Sequence, residues 1–354
     1  MIPKSFTTPN RWLFRFAALT AFFTFLLLGA GGLVTSHEAG MSVPDWPNSY
    51  GYNMFLFPPS KWIGGIFYEH THRLWATLVG FMTTVLMVWL WRSDERAWVK
   101  KLGVAAFLGV VIQGVLGGLR VTLKMDDLGI FHGIVAQSFF VLTCALALFT
   151  SPFWFRLTQQ PEKQGKLVAG GLRRHVAYVA GLIFLQLILG ATMRHQHAGL
   201  SISDFPLAHG QLWPDTSPAA IARYNAARVD PDQLNPITAF QVILQMIHRI
   251  MALLIVLGVA AAAMLSLKRL GKGDYLTRLA FVWLGLILVQ AGLGIMTVLS
   301  NKAADVATAH VLVGALVLAV GAVWFMVASV RREEAAECES GTLINPSPSV
   351  IGAE

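Results

Sequence analysis

The chain has 354 residues, of which 55% are hydrophobic and only 13% are charged, and its mean hydropathy is +0.59. Because about a quarter of the residues in a soluble domain are charged, this composition excludes an ordinary soluble protein and indicates many membrane crossings. The net charge of +8 needs no nucleic-acid partner, since the positions of the basic residues along the chain account for it.

Eight apolar segments are long enough to cross a bilayer, which takes about 20 residues. No small-residue cleavage site follows the basic N-terminal residues, so the first segment is expected to remain as an uncleaved span. The predicted spans lie at about 13–35, 69–91, 102–121, 131–150, 174–193, 238–266, 278–299 and 304–329.

The basic residues are distributed unevenly between the two sides of these spans. Of the 27 Lys and Arg residues, 18 lie at the two ends of the chain or follow an even-numbered span. The positive-inside rule therefore predicts cytoplasmic N and C termini and places the long connections 36–68 and 194–237 outside. The expected location is the inner membrane of a bacterium, as a multi-pass protein. The acidic, then Ser/Pro-rich segment 333–354 is expected to be a disordered cytoplasmic tail.

The two halves of the chain repeat one pattern. Residues 39–47 (AGMSVPDWP) and 198–206 (AGLSISDFP) both follow a predicted odd-numbered span. Three spans also carry Gln-x-x-x-Gly, which we attribute to helix packing. The predicted fold class is an all-α membrane protein with eight transmembrane helices in two pseudo-symmetric four-helix bundles. The expected units are an N-terminal repeat, 1–160, and a C-terminal repeat, 161–332.

Four histidines occupy matched places in the outer halves of the even-numbered spans: His72, His132, His248 and His310. An ionisable residue inside a span is costly and indicates function. One such histidine is equally well a polar group bonded to a neighbouring helix, but four at matched positions are hard to explain that way. Paired imidazoles on facing helices suit six-coordinate haem iron, whereas closed zinc sites need two more ligands each. We therefore predict two haem pockets with these histidines as iron ligands.

The residues beside the histidines distinguish the two halves. Arg73 and Arg249 directly follow a histidine and suit a haem propionate, although arginines extending to lipid headgroups are an equally good interpretation. Glu69 lies one turn before His72, where the second half has Gln245. A carboxylate can act as base, proton relay or nucleophile, and an amide cannot. The first pocket is therefore predicted to be reactive, unless Glu69 simply bonds a neighbouring group.

Two functions remain open from the residues alone. One is an enzyme that acts on a haem held in the first half. The alternative is a di-haem, bis-histidine electron-transfer protein of the quinone-linked cytochrome b type. The difference between Glu69 and Gln245 favours the enzyme, because a pure electron carrier needs no such carboxylate. A transporter is disfavoured by the parallel repeats and matched histidines.

Taken together, the motifs resemble the haem A synthase family of cytochrome oxidase assembly. The similarity extends over about residues 12–330, and the ordered set of four histidines with Glu-x-x-His-Arg is its most specific part. The segments that carry it are GGLVTSHEAGMSVPDWPNSYGYNMF at 31–55, EHTHRLWATLVG at 69–80, FHG at 131–133, MIHRIMALL at 246–254 and TAHVLVGAL at 308–316.

This resemblance implies an oxidoreductase that oxidises a ring methyl of haem O to a formyl group, giving haem A for cytochrome oxidase. It implies that His72 and His132 bind the haem O substrate and that Glu69 is the catalytic carboxylate. It further implies that His248 and His310 bind the iron of a b-type haem cofactor that carries electrons.

The resemblance also implies several partners. These are membrane lipid, an unidentified electron donor, haem O synthase and cytochrome oxidase assembly factors. Some members of the family have a cysteine pair in the first outside loop, but segment 36–68 has none. Thiol chemistry in that loop is therefore not expected.

Overall fold

The computed structural model describes residues 9–159, 165–228 and 236–331. Within these ranges the chain forms α-helices, short 3₁₀ turns and two isolated β-bridges. The helices are α1 (Arg11–Ser36), α2 (Gly65–Ser93), α3 (Ala97–Thr122), α4 (Leu128–Thr150), α5 (Pro152–Gln159), α6 (Gly170–His195), α7 (Pro218–Ala226), α8 (Ala239–Leu270), α9 (Tyr275–Leu299) and α10 (Ala304–Val330).

Eight of the described helices, all except α5 and α7, are long and apolar enough to cross a membrane. They begin and end within five residues of the predicted spans, so the eight-span prediction is confirmed and the chain is a multi-pass membrane protein. Most helices extend slightly beyond the apolar segment, because a helix satisfies its own backbone hydrogen bonds and can continue into the polar headgroup region.

The helix contacts define two groups of four. In the first, α1 packs against α2 and α4, and α3 packs against the same two helices. In the second, α8 packs against α6 and α9, and α10 packs against the same two helices. The groups meet through α1 against α10 and through α4 against both α6 and α10.

The tightest core of the second group lies where α9 begins and α10 ends. Trp283 and Trp324 are both fully buried, and their indole N–H groups donate to the carbonyls of Val317 (2.8 Å) and Leu276 (2.9 Å). The predicted iron ligands lie near the opposite ends of the helices, close to the starts of α2, α4, α8 and α10. The helices of the second group are therefore packed around buried tryptophans at one end, and the histidines lie near their other end.

Two loops, 37–64 and the described part of 196–238, lie at this polar end and contain the same local turn. Asp45 accepts hydrogen bonds from the backbone N–H groups five and six residues later, at 2.6 and 2.7 Å. Asp204 does the same at 2.8 and 2.8 Å. In each loop the aspartate is followed by an aromatic residue and a proline, and the peptide bond between these two is cis (Trp46–Pro47 and Phe205–Pro206). The repeated sequence of the two loops thus folds into repeated contacts.

Part of the prediction concerns residues outside the described ranges. The predicted tail 333–354 lies there, as do Lys4, Lys163 and Arg332 among the basic residues assigned to the cytoplasmic side.

Candidate functional site

The structure brings the four predicted iron ligands together in the two predicted pairs. The rings of His72 on α2 and His132 on α4 are nearly perpendicular, with centroids 6.5 Å apart. In the second helix group, His248 on α8 lies beside Gly190 of α6 and His310 on α10 lies beside Gly294 of α9. In all four rings Nδ1 is buried without a hydrogen-bond partner. Buried polar atoms are normally satisfied, so these rings are placed for a partner other than the described protein atoms.

Each of the four rings faces a glycine on the preceding long helix. A Cβ atom added to Gly31 or Gly294 would crowd the imidazole, whereas one added to Gly117 or Gly190 would make ordinary van der Waals contact with it. The distances from the added Cβ to Cε1 of the ring are 3.1 Å for Gly31 and His72, 3.4 Å for Gly117 and His132, 3.4 Å for Gly190 and His248, and 3.0 Å for Gly294 and His310.

Three of these helices also have a glutamine four residues before the glycine. The first span has Leu27 at that position. The sequence pattern predicted close helix packing with the glutamines bonded between helices, and the structure shows that the partners of these glutamines are the histidines. The amide nitrogens of Gln113 and Gln186 donate to the backbone carbonyls of His132 (3.0 Å) and His248 (2.9 Å), and Gln290 Nε2 lies 3.5 Å from His310 Nε2.

The residues present fit a haem iron in each pocket. With metal–nitrogen bonds of about 2 Å, one metal ion between two imidazoles separates the ring centroids by about 6 Å, close to the value for His72 and His132. In the described ranges no three His, Cys, Asp or Glu side chains are grouped so as to hold a metal ion. The two imidazoles of each pair are therefore the residues that would hold a haem iron, and the macrocycle would supply its remaining ligands.

Glu69 is buried and bonded through both carboxylate oxygens. It is 4% exposed. Oε2 accepts a hydrogen bond from the backbone N–H of Val43 at 2.8 Å, and Oε1 forms an ion pair with Arg73 at 2.7 Å. No hydrogen bond joins Glu69 to His72 in the described part of the chain. The carboxylate thus holds the first loop onto α2 and keeps its charge beside the first pocket.

Gln245 occupies the matching place in the second half. It is 2% exposed, and its side-chain oxygen accepts a hydrogen bond from the backbone N–H of Ile202 at 2.8 Å. The contact is the same as that between Glu69 and Val43. Both side chains therefore anchor an outer loop, and the difference between the halves is one negative charge.

Both predicted propionate-binding arginines contact the loops as well. The terminal nitrogens of Arg73 make four hydrogen bonds, one to Glu69 and three to backbone carbonyls of the first loop, at 2.6 to 2.9 Å. A guanidinium has five N–H donors, so only Nε–H of Arg73 remains. Arg249 donates to the carbonyls of Asp204 (2.8 Å) and Leu207 (3.0 Å) and has more donors left.

His70 is turned away from the pocket. It is fully buried, with Nδ1 3.1 Å from the Ser49 hydroxyl. Its ring packs against Phe57 and Trp62, with centroids 5.0 and 4.6 Å away. Of the two histidines in the EHTHR segment, only His72 takes part in a histidine pair.

Comparison with known proteins shows the family to which the chain is similar. The model of a family described as "Cytochrome oxidase assembly protein" matches residues 60–322, which include all four paired histidines. A "Heme A synthase" of Shouchella clausii is 27% identical over 301 residues, covering 83% of this chain and 89% of the relative. One from Geobacillus kaustophilus is 26% identical, covering 83% and 84%. The human "Heme A synthase COX15" is 29% identical, covering 73% and 62%.

Proposed function

The chain belongs to the cytochrome oxidase assembly protein family, and we propose that, like its relatives named heme A synthase, it oxidises a methyl group of haem O to a formyl group. The product is haem A for cytochrome oxidase. The observation that carries this proposal is that two bis-histidine pockets differ by one buried carboxylate, Glu69 opposite Gln245. That difference gives one pocket a group that can take part in a reaction and leaves the other without it.

In this proposal the two pockets have different occupants. His72 and His132 bind the iron of the haem O substrate, and His248 and His310 bind that of a b-type haem cofactor. When bound, the cofactor would supply one-electron transfer. The facing glycines leave room for each ring and the glutamines fix the helix carbonyls beside them.

Glu69 is the proposed catalytic residue. Its carboxylate is buried and forms an ion pair with Arg73 at 2.7 Å. Conversion of a methyl group to a formyl group removes two hydrogens from the carbon, and a carboxylate oxygen beside the pocket can hold or move a proton, whereas the amide of Gln245 cannot. Arg73, through its remaining Nε–H, and Arg249 stay proposed partners of haem propionates.

The two helix groups are proposed to form pseudo-symmetric units, 1–160 for the substrate and 161–332 for the cofactor. Matched loop turns and matched anchoring by Glu69 and Gln245 support this division. We further propose cytoplasmic termini and a bacterial inner membrane location, supported by the basic connections and the bacterial relatives. Haem O synthase, assembly factors, an electron donor and surrounding lipid are the proposed partners.

The activity is tested by expressing the chain together with a haem O synthase in a host that makes no haem A. Extracted haems are separated by chromatography. Wild type is expected to yield formyl or hydroxylated haem, and Glu69→Gln is expected to yield none while accumulating to similar levels, since an amide oxygen still accepts from Val43 N–H. Unchanged haem O with wild type would contradict the enzyme and favour a di-haem electron carrier.

The assignment of the occupants has a separate test. His248→Ala removes one iron ligand of the second pocket only, so the purified variant is expected to lose b-type haem absorbance and still bind added haem O. His72→Ala is expected to show the reverse. If both haem signals survive in either variant, the two-pocket assignment is wrong.

A further inference from the structure

The four glycines that face the histidines are each followed, one helical turn closer to the outer loops, by a residue on the same face. In α1 and α9 this residue is a threonine, Thr35 or Thr297, whose hydroxyl donates to a carbonyl of its own helix at 3.1 or 2.8 Å. In α3 and α6 it is an arginine, Arg120 or Arg194. Each half thus has one arginine at the rim of its pocket, but on helices that do not correspond in the repeat.

Arg120 carries a charge that the described contacts use only in part. Its side chain is 15% exposed, and its one ion pair, at 2.8 Å, is with Asp126, which is 55% exposed. Its Nε is buried and has no hydrogen-bond partner among the described residues. A buried donor without an acceptor is costly. The guanidinium is therefore placed for an acceptor that the described protein atoms do not provide.

The position of Arg120 points toward the first pocket. It lies one turn beyond Gly117, which faces the His132 ring. A loop residue, Gly40, covers the guanidinium so closely that an added Cβ would lie 2.6 Å from Nη1. The donor is thus enclosed between the outer loop and the histidine pair.

We propose that Arg120 binds a propionate carboxylate of the haem held by His72 and His132, and so fixes its rotation about the axis through the two ligands. This inference rests on the proposed function, because it takes haem O as the occupant. Both propionates lie on one edge of the macrocycle, and axial ligation alone leaves that edge free to point in any direction. A guanidinium–carboxylate bond selects one direction and thereby decides which ring methyl is presented to Glu69.

The second pocket lacks this anchor at the corresponding place, where Thr297 stands. Its rim arginine, Arg194, is on α6 and donates to Gly32 O (2.7 Å) and Ser36 Oγ (2.6 Å) of α1. Arg120 is a positioning residue of the substrate pocket that its counterpart does not duplicate.

The test is to titrate the purified full chain with haem O and with the dimethyl ester of haem O, following the Soret band. The signal that His72→Ala lacks is assigned to the first pocket. Wild type is expected to bind the free acid about ten-fold more tightly than the ester, as a charged hydrogen bond implies. Arg120→Gln is expected to remove most of this preference by weakening binding of the acid, while Arg73 remains for the second propionate, and Arg120→Lys is expected to restore part of the preference.

Lys124→Gln is the matched control, since it removes one charge from an exposed residue at the same end of α3 and is expected to behave as wild type. A preference for the acid as large in Arg120→Gln as in wild type would overturn the inference, as would equal weakening of acid and ester. If the wild type shows the preference but produces no haem A in cells, the proposed function fails while the role of Arg120 stands.

Discussion

At the residue scale, replacing a glycine that faces a histidine by alanine tests whether the imidazole ring needs the space that the glycine leaves. In Gly294→Ala the new Cβ would lie 3.0 Å from His310 Cε1, so the ring must shift, at a cost of about 1–3 kcal/mol. We expect a several-fold lower b-type haem content per protein, measured by pyridine haemochrome absorbance.

Gly292→Ala is the control on the same helix, because nothing lies within 4 Å of its added Cβ. It is expected to retain the haem content of wild type. Equal haem content in Gly294→Ala and Gly292→Ala would show that the ring has room to spare and that the glycine does not shape the pocket.

The spacing of His72, His132, His248 and His310 was enough to predict the two pairs, because matched ionisable residues in spans have few explanations. The contacts of Glu69 could not be predicted from the sequence. An i, i+3 relation predicts a shared helix face, but the bond to Val43 depends on a loop returning to α2. The Gln-x-x-x-Gly pattern was visible, yet its contact with the histidines follows only from which helices are neighbours.

At the element scale, an aspartate accepts hydrogen bonds within each of the two outer loops. One of these aspartates, Asp204, predicts how the stability of the protein depends on pH. Burial acts in the opposite direction, but the backbone N–H groups of Gly210 and His209 hold the pKa of Asp204 below its usual value. An acid with a lowered pKa stabilises the fold above its unfolded pKa of about 3.9, and the contribution is lost as pH falls through the folded value.

Asp204→Asn is therefore expected to lower the thermal unfolding temperature above about pH 4 and to approach wild type as the pH falls below it. Asparagine keeps one acceptor oxygen but turns an NH₂ group toward one of the two N–H donors. The measurement is thermal unfolding in detergent as a function of pH. A constant difference between variant and wild type at all pH values would contradict the prediction.

The long helices followed from length and apolarity, whereas the two short ones did not. Helices as short as α5 and α7 are marginal on their own and form through local capping and tertiary contacts. Ser217 caps α7, and Asn225 donates from its end to Ile237 O at 2.9 Å. Such contacts across a loop leave no periodic signal in the sequence.

At the scale of the whole molecule, the sequence predicted a repeat but not how its halves meet. The contacts of α1 with α10 and of α4 with α6 and α10 involve helices that are apolar on most faces. Helix surfaces toward lipid and toward protein are similar in composition, since small side chains and local fit decide association in a membrane. Which helices are neighbours therefore cannot be predicted from the sequence and is known only from the structure.

Orientation in the membrane gives the last prediction. Basic residues resist translocation across the membrane, and they concentrate after the even-numbered spans, so the loop 196–238 is expected outside. In a chain freed of Cys144 and Cys338, a cysteine replaces either Leu212, which is 87% exposed in that loop, or Lys272, which is exposed in the connection between α8 and α9.

A maleimide that cannot cross membranes is expected to label the Leu212→Cys protein in intact cells, and the Lys272→Cys protein only after permeabilisation. The reverse pattern would invert the topology and put both histidine pairs near the cytoplasmic face, because the histidines lie at the same end of the helices as this loop. The expected pattern puts the iron ligands, Glu69 and Arg120 near the outer face, so that electrons from the cytoplasm would have to cross most of the membrane to reach the substrate pocket.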